Sequence, residues 1–286
     1  MTAASGERLA RRVDGRSWWG SGWREAVDAV FPRSCYLCGG AASDEVACEE
    51  HALPEEPGGV RCPRCAARMP RAVEGAAKCA DCARHSPGVE RLIVLADYRR
   101  HAAMREWILA FKHGGRSQLA LPMGRALARL ASSELGANGR RDVLVPVPLH
   151  AWRRLERGYD QAALLAEAIG AASGVPVARA LVRARPTAVQ GGVGAVSRQA
   201  NVRGAFRASR VAPLARRRVA RADVVWLVDD VVTSGSTLRE CARAVRRLGA
   251  RRVAALALAR ASRAPVEEVA EELDPSAAND DSWHPP

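Results

Sequence analysis

The stretch VVWLVDDVVTSGST, residues 224–237, constrains the fold of this chain more than any other. An apolar run typical of a buried strand ends in two adjacent acids, Asp229 and Asp230. Two valines then lead to a turn of small and hydroxylated residues, and a helical pattern runs from Leu238 to a stop at Gly249. A strand that passes through such a turn into a helix is the repeating unit of a parallel α/β sheet, in which ligands bind beyond the carboxyl ends of the strands.

The same alternation of apolar strands and amphipathic helices continues over residues 91–260. The pattern predicts strands at 91–98, 142–149, 224–230 and 252–259, with helices at 104–111, 117–135, 161–170 and 238–248. Strands that are apolar throughout indicate a sheet covered by helices on both faces. At 286 residues and 48% hydrophobic, the chain is long enough for one full domain and a smaller one.

Charge and hydropathy exclude some classes of protein and leave others open. No apolar stretch is as long as a membrane helix and the first residues lack a signal-peptide pattern, so we expect a cytoplasmic protein without stable membrane insertion. The net charge is +13, although residues 263–286 carry seven acids and one arginine. Solvated arginines explain a body this basic, and a nucleic-acid surface is the alternative.

Seven of the eight cysteines lie between residues 35 and 82. Six of them form three pairs with two residues between the members, and Cys48 has the same spacing with His51. Such spacing lets both side chains of a pair reach one metal ion, and dense cysteine in a cytosolic chain indicates metal rather than disulfides. We expect two structural zinc sites with four protein ligands each; an iron–sulfur cluster and redox thiols are the alternatives. Pairing in sequence order is the simplest, and interleaved pairing stays open. The candidate ligands are Cys35, Cys38, Cys48, His51, Cys62, Cys65, Cys79 and Cys82.

The turn after the acid pair favours a phosphate. Backbone N–H groups at a helix N-terminus bind anions, and glycine lets the backbone approach them closely. The candidate phosphate-binding residues are Thr233, Ser234, Gly235, Ser236 and Thr237. A buried carboxylate pair needs hydrogen-bond donors, which the vicinal hydroxyls of a ribose supply. A ribose 5-phosphate therefore suits both halves of the stretch.

This arrangement resembles the phosphoribosyl-pyrophosphate (PRPP) loop of type I phosphoribosyltransferases. VLVPVPLHAWRRLERGYDQAALLAEAI (143–169), FKHGG (111–115) and SRQANVRGAF (197–206) resemble the signatures of the ComF family of competence-associated proteins. An N-terminal double zinc ribbon before a phosphoribosyltransferase domain is that family's architecture. The chain departs from the family pattern at Asp160, where asparagine is more usual, and at His51, where cysteine is more usual.

The resemblance implies further site residues. The loop after the strand at 143–147 would hold pyrophosphate through main-chain N–H groups, and basic side chains would add charge. The residues implied are Val147, Pro148, Leu149, Arg153, Arg157 and Lys112, with Arg198 and Arg203 on a mobile lid. Each role has an alternative. The prolines are then rigid loop residues and Arg157 is solvated, while Lys112 is an ordinary cation at a helix C-terminus and residues 190–204 form a disordered loop.

The resemblance also predicts the domains and the activity. We expect a disordered tail (1–22), an amphipathic helix with the double zinc ribbon (23–88), a phosphoribosyltransferase domain (89–262) and a disordered acidic tail (263–286). The implied reaction is Mg²⁺-dependent phosphoribosyl transfer from PRPP to an acceptor that the sequence does not identify, with a link to DNA uptake in natural transformation. Asp229 and Asp230 would hold the ribose diol and, through it, the metal. The alternatives are a non-catalytic DNA-uptake protein that binds single-stranded DNA or a helicase partner, and a PRPP sensor without turnover.

Overall fold

The computed structural model describes residues 33–43, 46–54, 59–69, 79, 82–83, 86–113, 115–149, 158–184 and 203–261. These belong to two compact units, divided between Ala52 and Leu53. The first cysteine group (Cys35, Cys38, Cys48 and His51) lies in the first unit. The second cysteine group (Cys62, Cys65, Cys79 and Cys82) lies in the same unit as the sheet. The amphipathic helix expected at the start of the 23–88 region and both predicted tails lie outside the described residues. The domain boundary near residue 88 stays a prediction.

The second unit is built on a four-stranded parallel sheet. Its elements are β1 (Leu92–Asp97), α1 (Ala102–His113), α2 (Ala120–Leu130), β2 (Asp142–Pro146), α3 (Gln161–Ser173), β3 (Leu181–Arg183), β4 (Phe206–Ala208), α4 (Pro213–Arg221), β5 (Val224–Val232), α5 (Ser236–Arg246) and β6 (Arg252–Arg260). The sheet has the order β1-β6-β5-β2, and β3 pairs with β4 as a separate antiparallel ribbon. The predicted parallel α/β architecture is confirmed.

Helices cover both faces of the sheet because side chains alternate along each strand. Val225 and Leu227 of β5 belong to one apolar cluster with Leu238 and Val245 of α5. On the opposite face, Leu144 of β2 packs near Gly170 of α3. All five of these apolar residues are buried to at least 98%. Burial on both faces explains why the strands are apolar throughout.

Sequence patterns did not predict α4 or the ribbon of β3 and β4. The two ribbon strands have three residues each, too few for an alternating pattern to stand out. Helix α4 buries only Val219, so it has almost no apolar stripe. Within the described residues, no helix combines the length and apolarity needed to cross a membrane.

Candidate phosphoribosyl site and metal centres

The acid pair lies where β5 extends past its neighbour β2. The pairing of β5 with β2 ends at Val228, whereas the pairing with β6 continues to Val232. Asp229 and Asp230 therefore lie at an open edge, and both are partly exposed. Each carboxylate accepts a hydrogen bond from the next backbone N–H, at 2.9 Å for Asp229 and 2.6 Å for Asp230. Both acids follow the last residue of β5 that pairs with β2, at the carboxyl edge of the sheet, where ligands bind in such folds.

The two acids differ in their electrostatic surroundings. Burial first of all, and then the adjacent charge of Asp230, raise the pKa of Asp229 to about 8. Asp230 instead forms an ion pair with Lys112, whose Nζ lies 3.0 Å from Oδ2. Asp160 adds a third negative charge that further raises the pKa of Asp229. The surroundings therefore favour protonation of Asp229 far more than in a free aspartate, whereas Lys112 neutralises the carboxylate of Asp230.

The turn after the acids forms a helix N-terminus. Helix α5 begins at Ser236, two residues earlier than its apolar pattern predicts, and its N-cap is Gly235 in a left-handed conformation with φ +70°. Ser234 and Ser236 are buried, and their hydroxyls are 3.0 Å apart. The Ser236 N–H donates to Ser234 Oγ at 3.4 Å. This turn can bind an anion because the first N–H groups of a helix lack intrahelical partners.

Two groups that sequence reasoning missed fix this turn. Arg260 at the end of β6 is 5% exposed and donates a hydrogen bond to the carbonyl of Thr233. The segment 86–88, called here the connecting segment because it joins the second cysteine group to β1, packs against the other side of the turn. A methyl group added at Gly235 would lie 2.8 Å from Cβ of Pro87. Arg239 of α5 donates through Nε to the carbonyl of Ser86 at 2.7 Å.

The predicted pyrophosphate loop is described in part. Val147 is buried and its N–H donates to Val228 at 2.9 Å, so that N–H already has a partner within the sheet. The Leu149 N–H donates to Asp160 at 3.4 Å. Asp160 also caps α3, because its other carboxylate oxygen accepts from the N–H of Ala163 at 3.1 Å. The structure therefore gives Asp160 a capping role.

Lys112 and its surroundings bring α1 to the acid pair. Tyr159 donates through its hydroxyl to the Phe111 carbonyl at 2.5 Å, and the two rings lie 5.7 Å apart. This contact holds the last turn of α1 beside the start of α3 and places Lys112 at Asp230. Lys112 thus faces the acids in this structure. Arg203 is exposed in the turn before β4. The predicted residues Arg153, Arg157 and Arg198 lie outside the described residues.

The first cysteine group contains three cysteines and one histidine, grouped in sequence order. The Sγ atoms of Cys38 and Cys48 are 3.9 Å apart, and Nδ1 of His51 lies 3.1 Å from Cys48 and 3.6 Å from Cys35. Burial would raise the pKa of the Cys35 thiol, but backbone N–H groups from Cys38 and two other residues outweigh it and bring the pKa to about 6. This thiol is therefore prepared to act as a thiolate ligand.

The second group contains four cysteines and is more deeply buried. Cys62, Cys65 and Cys82 are each at most 7% exposed. Their Sγ atoms form pairs at 3.8 Å between Cys62 and Cys82 and 3.4 Å between Cys65 and Cys79. Sulfurs that share one tetrahedral zinc at about 2.3 Å lie about 3.8 Å apart. Both groups therefore have the spacing of a tetrahedral metal site, and no described cysteine forms a disulfide.

Comparison with known proteins agrees with this geometry. Residues 118–283 match the family model described as phosphoribosyl transferase domain. The chain is 31% identical over 191 residues to competence protein F of Haemophilus influenzae, covering 64% of this chain and 78% of that protein. It is 31% identical over 210 residues to the DNA utilization protein YhgH of Escherichia coli K12, covering 70% and 83%.

YhgH of Salmonella typhimurium is 30% identical over 202 residues, again covering 70% of this chain and 83% of the relative. These matches extend over most of each relative, and the domain match covers the acid pair, the turn and α5. The chain belongs to the ComF family of proteins with a phosphoribosyl transferase domain.

Proposed function

We propose that this protein binds PRPP and, with Mg²⁺, transfers its phosphoribosyl group to an acceptor. The observation that carries the proposal is that an acid pair at the end of β5 is followed directly by a helix N-terminus that can bind an anion. Strand β5 supplies the carboxylates of Asp229 and Asp230, and the turn that follows leads into the N-terminus of α5, whose first N–H groups lack intrahelical partners. A ribose 5-phosphate has a diol for the first and a phosphate for the second.

The side chains suit the chemistry of this transfer. The bond from C1 of the ribose to the pyrophosphate oxygen breaks as a bond to the acceptor forms, and no covalent nucleophile on the protein is needed. The two acids would accept hydrogen bonds from the ribose hydroxyls and hold C1 in position. Lys112, 3.0 Å from Asp230, offers a positive charge that could move to the leaving pyrophosphate.

Two metals belong to this proposal. Aspartate oxygens such as those of Asp229 and Asp230 are ligands of the kind that Mg²⁺ prefers. When bound, the ion would neutralise charge on the pyrophosphate. We further propose that zinc occupies both cysteine groups, since their Sγ–Sγ distances match those between sulfurs bound to one tetrahedral zinc ion. A location in the cytoplasm, where such thiols stay reduced, remains a prediction.

Calorimetric titration of Mg²⁺–PRPP tests the ligand. We expect saturable binding by the protein, lost in Asp229→Asn/Asp230→Asn, with thermal unfolding to show that the variant remains folded. Asp223→Asn is a matched control because this acid pairs with Arg141 at 3.3 Å near the start of β5. A folded protein loaded with zinc that does not bind PRPP would refute the proposal.

The pH dependence of stability tests whether ionised Asp229 destabilises the folded protein. Its pKa is raised from an ordinary value of 3.8 to about 8, so the folded state binds the proton more tightly than the unfolded state. The contribution of this group to stability is complete below about pH 4 and is lost as the pH rises towards 8. We expect Asp229→Asn to raise the Tm relative to wild type, with a gap that widens from pH 5 to pH 8.

A role in DNA handling is a second candidate, supported by the names of the relatives, which mention competence and DNA utilization. In that role the phosphoribosyl transferase domain would act as a scaffold or a ligand sensor. Pyrophosphate release in the presence of candidate acceptors separates the two. If pyrophosphate is released and the double variant Asp229→Asn/Asp230→Asn abolishes that release, the protein is a transferase. If PRPP binds and no pyrophosphate is released, the domain acts as a sensor.

A further inference from the structure

Helix α4 has a basic surface that the candidate phosphoribosyl site does not use. Its nine residues, PLARRRVAR, include four arginines and no acid, and all four arginines are exposed. Val219 is the only buried residue of the helix, and Leu214 beside the arginines is 62% exposed. A helix with so little buried apolar surface gains little from packing on its own domain, so its exposed face is suited to a further contact.

A groove of about 580 Å³ lies between α4 and the turn that follows α5. Leu214 and Leu248 contribute apolar surface to it. Its basic residues are Arg216, Arg217 and Arg247, and all three are exposed. Within the part of the chain that the structure describes, these three arginines form no ion pair. The groove therefore combines apolar surface with positive charge that no described acid balances.

A segment of opposite character follows β6 in the same chain and lies outside the described residues. Residues 265–274, called here the acidic segment, read PVEEVAEELD and contain five acids and no basic residue. Val266, Val269 and Leu273 recur at intervals of three and four, the spacing that places side chains on one side of a helical turn. Charge this dense opposes folding until a partner neutralises it. An apolar stripe flanked by acids complements an apolar groove flanked by arginines.

The link between β6 and the acidic segment is long enough for docking. The N–H of Ala261 donates to the carbonyl of Val232 at 2.9 Å, so the chain leaves β6 beside the turn that precedes α5. The groove lies at the other end of α5, whose eleven residues span about 16 Å. The six residue steps from Ala261 to Glu267 span about 20 Å when extended. Glu267 and the acids after it can therefore reach the groove.

We propose that the acidic segment docks in this groove of its own chain, with its carboxylates on the three arginines and its apolar stripe against Leu214 and Leu248. A short covalent link keeps the segment at a high effective concentration beside the groove, so ion pairs that are weak one by one can act together. Any separate acidic partner would have to displace it. The candidate phosphate-binding turn lies at the opposite end of α5, so this inference is independent of PRPP binding.

Carbodiimide coupling on the full zinc-loaded chain tests the proposal, because this reagent joins a lysine amine to a carboxylate in direct contact with it. The chain has only two lysines, Lys78 and Lys112, so the background is small. The test variants are Arg217→Lys and Arg247→Lys, which keep the charge of the groove. The matched control is Arg129→Lys, an exposed position on α2, which packs against α3 on the other face of the sheet.

Mass spectrometry after trypsin digestion locates each link, since no lysine or arginine follows Arg263 and residues 264–286 are released as one peptide. At 50 mM NaCl we expect both groove lysines to link to acids of the acidic segment, with a yield at least 10-fold above that of the control. At 1 M NaCl, where the Debye length is about 3 Å, the yield should fall to that of the control.

Three results would overturn the proposal. The control lysine could link to the acidic segment as often as the groove lysines, which would show that the segment has no preferred position. Neither groove lysine could link to it, which would leave the groove to a different partner. In an equal mixture of unlabelled and ¹⁵N-labelled protein, links could join the two kinds of chain, which would make a second copy the source of the segment. Unchanged thermal unfolding of all three variants ensures that each result reports on docking.

Discussion

The two described Cys-x2-Cys turns, at Cys35–Cys38 and Cys62–Cys65, have the same backbone structure in different settings. In each, the residue before the first cysteine pairs in an antiparallel bridge with a residue seven positions on, Ser34 with Ala41 and Arg61 with Arg68. In each, the carbonyl of the first cysteine accepts from the N–H four residues later, at 2.9 Å and 2.8 Å. The spacing of the cysteines therefore determines the turn, whatever surrounds it.

What differs is the residue that adopts the left-handed conformation. Gly39 has φ +76° in the first turn, with open space where a side chain would extend. The second turn places Ala66 there, with φ +56°. A methyl group in this conformation costs about 1–2 kcal/mol. Ala66 is 2% exposed and packs in the apolar cluster of the sheet, which also contains Val89 and Leu92. The second turn has therefore become part of the sheet domain.

Backbone contacts extend this connection to the candidate ligand site. The N–H of Leu92, the first residue of β1, donates to the Pro63 carbonyl at 2.9 Å. The connecting segment (86–88) then lies between Cys82 and β1 and contacts Gly235 and Arg239. A metal in the second group would thus support the candidate phosphate-binding turn. The first group belongs to the other compact unit, and we expect its metal to act locally.

Removal of one ligand from each group should give the largest difference. We expect Cys65→Ser to release its metal, to lower the Tm of the sheet domain and to abolish PRPP binding, because metal-binding energy is folding energy in such sites. Cys38→Ser should lose the metal of the first group while PRPP affinity stays within about 2-fold of wild type, since that group lies in the other compact unit. Metal content by mass spectrometry, thermal unfolding and calorimetry measure the three quantities.

The control for Cys65→Ser is Cys241→Ala, which changes a buried cysteine of α5 outside both groups. This variant should keep both metals. Equal losses of PRPP affinity in Cys38→Ser and Cys65→Ser would show that both groups support the site alike. The inference that only the second group supports it would then be wrong.

Gly235→Ala should weaken PRPP binding by about 100-fold without releasing metal. The new methyl group meets both the strain of a left-handed backbone and Pro87 at 2.8 Å, so the turn must move away from the connecting segment. Gly139→Ala is the matched control, since Gly139 has φ +69° and no atom within 4 Å of the added methyl. Similar PRPP affinities for the two variants, measured by calorimetry, would mean that the contact between the turn and Pro87 does not support ligand binding.

Arg239→Ala should have a smaller effect, about 5-fold on PRPP affinity. It removes the hydrogen bond from Nε to the Ser86 carbonyl and leaves the packing of Pro87 on Gly235 intact. Arg243→Ala, one turn further along α5, removes only the pairing with Glu240 and should leave the affinity unchanged. A faster loss of zinc from the second group to a chelating dye in Arg239→Ala would add evidence that the segment connects the two sites. Equal zinc-release rates in the two variants would argue against it.

Much of this fold could be predicted because its signals are local. The strand β5 and its acid pair stand in one continuous stretch, and two-residue spacing alone identifies the cysteine turns. The start of α5 was predicted two residues late, since its first turn consists of hydroxylated residues without an apolar stripe. The helix α4 escaped prediction for the same reason.

The contacts that fix the candidate site could not be predicted, because they join residues far apart in the chain. Arg260 reaches the Thr233 carbonyl across 27 positions, and Arg239 reaches Ser86 across 153. Nothing in the sequence around Pro87 marks it as a neighbour of Gly235. Lys112 was predicted to bind pyrophosphate. Its ion pair with Asp230 depends on the packing of Tyr159 on Phe111, which joins residues far apart in the chain. Its role with pyrophosphate stays a prediction.

The smallest effects should come from exchanging the left-handed residues of the two turns. Gly39→Ala adds strain with no compensating contact, so we expect the first group to bind zinc about 5-fold more weakly in competition with a chelating dye. Ala66→Gly relieves a comparable strain but removes a buried methyl worth about 0.8 kcal/mol and leaves a small cavity. These terms oppose each other, so the free energy of unfolding of the sheet domain should change by less than about 1 kcal/mol. A loss above about 2 kcal/mol in Ala66→Gly would show that the methyl contributes far more than its area, and that the second turn is joined to the sheet chiefly by this one side chain.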